Sequence, residues 1–168
     1  MDARETTLAY NFLSASFPSK EFLPVLGVLN STMHKWRERG YFPLESAGRG
    51  KILYLDGGRI LHLYALHLIS KNSGSLKLHL RGLRDSIAFY VQSLSMVVDE
   101  AKEETTYCCL RFILGTIEDY EWELTDNPLN SKGTHIVEAF GTKAEPIFTI
   151  LNLDEMVLNL VKKFEHLL

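Results

Sequence analysis

The chain has 168 residues, 46% of them hydrophobic and only five of them proline, which excludes a largely disordered polymer and fits one large domain or two small ones. Its start, "MDARETTLAYNFLSASFP", lacks a basic stretch followed by an apolar core and cleavage site, and its apolar runs fall short of the roughly 20 residues that cross a bilayer. A soluble, cytoplasmic protein with no membrane partner is therefore expected. The formal net charge of −3 hides a split: residues 19–84 hold eleven basic against four acidic side chains, net +7, and residues 85–168 hold six against fifteen, net −9. A polyanion is drawn to the first part and repelled by the second, although two oppositely charged halves facing each other would give the same split.

Up to about residue 72 the pattern reads as short helices punctuated by glycine. Ser19 is placed to cap a helix through Leu26, in which Phe22, Leu23 and Leu26 recur at helical spacing and Gly27 takes the stop position. Asn30 or Ser31 is placed to cap a second helix, with Met33 and Trp36 inward and Gly40 at its end. Two short helices joined by a tight turn are the minimum helix-turn-helix. Pro43 then stops the helix, and Gly48 and Gly50 permit a turn between extended pieces at 42–46 and 51–55, a two-stranded wing. Asp56 caps a third helix whose stripe is Ile60, Leu61, Tyr64 and Leu68.

From residue 76 the apolar positions Leu76, Leu80, Leu83, Ile87, Tyr90, Leu94 and Val97 alternate in steps of four and three. Such a stripe over 76–97 is either a coiled-coil seam between two copies, the preferred reading, or the packed face of a helix on its own domain. Beyond it the period changes to two. "YCCLRFILG", "DYEWELT", "THIVEAF" and "PIFTIL" read as four strands, and the neighbours Cys108 and Cys109 as small apolar residues of the first rather than a disulfide or metal pair. Asn152 with Glu155 gives a capping box for a last helix, whose Val157, Leu160, Val161, Phe164 and Leu168 would cover the sheet. The expected class is α+β: residues 1–72 a DNA-binding domain, 73–104 a linking and dimerisation helix, and 105–168 a small antiparallel sheet with a terminal helix, serving dimerisation or an effector.

Over residues 19–61 this pattern resembles the DNA-binding domain of the MerR family of winged helix-turn-helix regulators, and the module so defined runs to about residue 72. The matching positions are Gly27-Val28 at the turn, Ser31-Thr32 opening the second helix, Met33, an aromatic at Trp36, Gly40, Tyr41-Phe42, Pro43, a glycine-rich basic wing, Tyr54 and Asp56. The resemblance implies that the second helix enters the major groove, with Ser31, Thr32, His34, Lys35, Arg37 and Arg39 facing the duplex, and that Arg49, Lys51 and Arg59 add phosphate contacts from the wing and the next helix. Serine and threonine at a helix start suit phosphates, and lysine and arginine suit phosphates or the acceptor edge of guanine. The chain departs from the family around Trp36, with His34 where an arginine and Arg37 where an acid is usual, and at Ile52, where the wing usually carries arginine.

No enzyme, cofactor or metal site is read from the chain. His62 and His67 stand five apart with no acid between them in a metalloprotease pattern, and Gly57-Gly58 lacks any phosphate-loop frame. The acids Glu118, Asp119, Glu121 and Glu123 read as a solvated face. The expected function is a dimeric, sequence-specific transcription regulator of bacterial or phage type, bound to double-stranded DNA, with an effector or protein partner at its C-terminal end. An architectural protein of excisionase or packaging type, and an interaction adaptor that binds no DNA, are the alternatives.

Overall fold

A helix not anticipated from the sequence opens the fold. α1 (Ala3–Ser14) starts at a complete capping box, the Asp2 carboxylate accepting from the Glu5 amide at 2.7 Å and the Glu5 carboxylate from the Asp2 amide at 3.0 Å. Its buried stripe is Thr6, Ala9, Phe12 and Leu13. The computed structural model describes residues 1–42, 52–73, 82–112, 120–126 and 150–167. The wing turn with Arg49 and Lys51, the seam positions Leu76 and Leu80, and the strand expected at 134–140 lie outside the described residues.

After α1 comes β1 (Ser16–Pro18), then α2 (Ser19–Leu26) and α3 (Asn30–Glu38), then β2 (Tyr54–Asp56), which pairs antiparallel with β1 so that Phe17 faces Leu55. The expected wing strand therefore has, in its described part, a partner that precedes the two helices. This pairing closes the α2–α3 segment at its base, and the Ser19 amide donates to Leu53 O at 2.8 Å. With that amide spent on the strand, Ser19 is the first helical residue rather than the cap, and Pro18 precedes it without a side-chain bond.

α4 (Gly57–Ser73) follows β2 directly, capped as predicted by Asp56, whose Oδ1 accepts from the Arg59 amide at 2.7 Å. Its first residue lies against the end of α1: the Gly57 amide donates to Ala15 O at 3.0 Å, and a Cβ at this position would collide with the Phe12 carbonyl oxygen. Only glycine permits that approach. α5 (Leu83–Met96) leads to an antiparallel sheet of β3 (Tyr107–Phe112), β4 (Tyr120–Thr125) and β5 (Ile150–Asn152), in the order β4-β3-β5. α6 (Leu153–Phe164) begins where the Asn152 side chain accepts from the Glu155 amide at 3.0 Å, half of the expected capping box.

A single hydrophobic cluster takes residues from all these helices, from β1 and β2 of the first sheet and from β3 and β5 of the second, so the three expected parts share one core. α6 does more than cover the sheet. Phe164 stands 5.4 Å from Phe12 and 5.0 Å from Phe17, ring centre to ring centre, and Phe12 and Phe17 are 5.4 Å apart. The last helix is thereby locked to the first helix and to the strand that starts the DNA-binding candidate.

The stripe on α5 is spent in this core. Leu83, Ile87, Tyr90 and Leu94 are 0%, 2%, 0% and 0% exposed within one chain, and Val97 lies half-buried just past the helix end. At these positions the seam expected between two copies is filled by the chain's own helices, so the alternative, internal packing, describes them. The stripe's period reports that a face is buried, and the same period serves an internal partner as well as a second copy. Among the described residues, no helix is long and apolar enough to cross a membrane.

Candidate nucleic-acid interface

α2 and α3 end in the same way. The Gly27 amide donates to Pro24 O at 3.1 Å and the Val28 amide to Leu23 O at 3.1 Å, with Gly27 at φ +66°. The Gly40 amide donates to Arg37 O at 3.0 Å and the Tyr41 amide to Trp36 O at 2.8 Å, with Gly40 at φ +71°. Both are Schellman endings, which need a left-handed residue after the last turn, and glycine holds that conformation at no Cβ cost.

α3 is anchored by one face and open on the other. Met33 and Trp36 are buried, while Ser31, His34, Lys35 and Arg39 are exposed and Thr32 and Arg37 are half-buried. Five of these six side chains stand on one nine-residue helix, and the sixth, Arg39, is the residue that caps its end. The helix starts after Leu29 rather than at a capping Asn30 or Ser31, and no side chain bonds its first turn. The Thr32 and Met33 amides reach back to Leu29 O at 2.9 and 3.0 Å. A first turn without a capping oxygen leaves its leading N–H groups to an outside acceptor, and such an end attracts anions. Lys35 and Arg37 lie in the last turn, where the helix dipole also favours them.

Arg59 occupies a different place. It is on the first turn of α4, exposed, with Nε 3.5 Å from Asp56 Oδ2, and it borders a cleft between α4 and α5. His62, one turn on, is 6% exposed and its ring lies 5.3 Å from that of Phe42. Burial, reinforced by the Arg84 cation and opposed by Asp85, lowers its pKa from 6.5 to about 4, so it is neutral at pH 7. Leu29, in the turn between α2 and α3, and Ile52 and Tyr54, after them in the chain, are exposed apolar side chains, at 70%, 52% and 56%.

One polar cluster in the core has no counterpart in the sequence reading. Asp154, on the first turn of α6, accepts from the Tyr90 hydroxyl at 2.7 Å, from Lys102 Nζ at 2.6 Å and from the Thr106 amide at 3.0 Å. Lys102 Nζ also donates to Glu104 O. Burial and the Asp154 carboxylate both push the Tyr90 phenol well above its ordinary pKa, so it stays a donor. The available signal was an acid at a helix start beside Asn152, at a position that the helical period assigns to the inner face. Among the described residues, no three histidine, cysteine or acidic side chains gather in a way that would hold a metal ion. No family model matches this chain, and a search of curated proteins finds no match.

Proposed function

We propose that this protein binds double-stranded DNA through α3, as a winged helix-turn-helix of MerR-like type, and acts as a transcription regulator. The observation that carries the reading is the two-sidedness of α3: Met33 and Trp36 hold it down, and Ser31, His34, Lys35 and Arg39 stand outward along it, from near its uncapped start to the residue at its end. A surface of this kind suits a phosphate-lined groove, with the helix N-terminus near the backbone and the basic side chains over phosphates or guanine edges. Arg49 and Lys51 supply wing contacts in this reading, and the positive charge of residues 19–84 draws the duplex in. One copy would sit on one half-site, because the α5 stripe is occupied within the chain.

The test is selection from a random-sequence duplex pool by the purified full chain, at moderate and at higher salt. An enriched motif, with retention that falls as salt rises, is expected from phosphate contacts that release counterions. A two-half motif would add a second copy. Absence of retention even at low salt would make α3 a scaffold helix and put the interaction adaptor in its place.

A further inference from the structure

Of the charged side chains that line the cleft between α4 and α5, two are cationic, Arg59 and Arg84, and one, Asp56, is anionic. Arg59 lies in the first turn of α4 and Arg84 is the second residue of α5, and both border the same space of about 430 Å³. A helix start carries partial positive charge, so an arginine in the first turn is set against the dipole of its own helix. Here two helix starts and two arginines meet at one cleft. α5 has no side-chain cap at Gly82, and Arg84 forms no ion pair with any described residue. Asp56, also on the rim, accepts from the Arg59 amide and forms an exposed ion pair with its guanidinium, so one positive charge, that of Arg84, is left over among the lining residues.

A second observation points to a ligand. His62 borders the cleft, is more than nine-tenths buried and hydrogen-bonds to no described residue. A buried imidazole without a partner is unfavourable, and native cores satisfy such groups as a rule. Leu13, Phe42, Ile87 and Val91 give the same cleft an apolar wall. Its volume lies in the range of small-molecule sites, which combine apolar walls with a few convergent polar groups.

We infer that this cleft binds a small organic acid, with its carboxylate between Arg59 and Arg84, its apolar or aromatic body on Phe42, Ile87 and Val91, and a second polar atom paired with His62. The arginines choose the anion, and the apolar wall chooses a carbon body over inorganic phosphate. Phe42 directly follows the helix-turn-helix and Arg59 follows β2, so the ligand would touch both ends of the wing segment. The site needs no DNA and is tested on the free protein, so its failure and that of the DNA reading are separate results.

The experiment is backbone amide NMR of the full chain titrated with benzoate, phenylacetate, indole-3-acetate and hexanoate. Phenylacetamide and inorganic phosphate serve as controls. At least one acid should shift the Gly58, Arg59, Ile87 and Ala88 amides saturably, with the controls weaker by about tenfold or more. Arg84→Ala should weaken that acid by about tenfold or more, and Ala88→Trp, which fills the cleft from an exposed position, should abolish its binding. Unchanged far-UV circular dichroism and melting would establish that both variants fold. The inference fails if no acid gives saturable shifts at these residues, if phosphate binds as well as the best acid, or if both folded variants bind that acid like the parent.

Discussion

α3 and α5 are the two helices whose side chains carry the functional expectations, and they differ in what packing leaves open. On α3 the expectation concerned the face left over after packing. Two apolar anchors, Met33 and Trp36, are buried, and the polar remainder is open to solvent. On α5 the expectation concerned the packed face itself, and Leu83, Ile87, Tyr90 and Leu94 found their partners inside the chain. A polar face needs no partner in order to be left outside, whereas an apolar stripe demands one and does not say which.

The largest effect that sharpens this contrast is expected at the polar anchor of α5. Asp154→Ala removes the acceptor of Tyr90, Lys102 and Thr106 together and leaves the largely buried Lys102 ammonium with the Glu104 carbonyl but without its counter-ion. It should lower unfolding stability by about 3–5 kcal/mol in urea denaturation. Next, Leu94→Ala should cost about 2–5 kcal/mol, with a midpoint that does not move with protein concentration. A midpoint that rises steeply with concentration would return α5 to the role of a seam between copies.

His62, on the wall between these regions, provides a pH test. Its folded pKa of about 4 is below the ordinary 6.5, so the unfolded chain binds the proton more readily. Its contribution is fully present above about pH 6.5, declines as pH falls, and is lost below about pH 4. Across that window the loss is about 3 kcal/mol, and His62→Leu should flatten that part of the stability profile. An unaltered profile would mean that the imidazole is hydrated. The smallest effect on stability belongs to α3: Lys35→Ala should stay within about 0.5 kcal/mol of the parent, since the side chain is exposed. In DNA binding it should reduce the salt slope by about one if it contacts a phosphate, and alter base preference if it reads guanine. A large stability loss with unchanged binding would reverse the assignment of α3 and α5.

Much of the local structure was legible because it depends on a few residues. Gly27 and Gly40 end their helices at positive φ, Asp56 caps α4, and Cys108 is a buried strand residue, as their chemistry and neighbours suggested. α1 went unread although Asp2 and Glu5 spell a capping box, because its stripe of Thr6, Ala9, Phe12 and Leu13 is half small or polar. Long-range pairing was not legible. Nothing in "SFP" announces that it will lie beside Tyr54–Asp56, since a three-residue strand has too short a period to declare itself. Arg84 and His62 also became visible as neighbours only when α4 and α5 were set side by side.

The ring cluster of Phe12, Phe17 and Phe164 has a consequence for how the protein is made. During synthesis the segment from α1 to β2 leaves the ribosome long before α6, and until Phe164 emerges the first two rings lack their third partner. The helix-turn-helix candidate must therefore wait, partly uncovered, for the far end of the chain. Contacts of such long reach slow folding and prolong the exposure of apolar surface. Fragments that stop before α6 are for this reason expected to aggregate rather than to yield a free DNA-binding module.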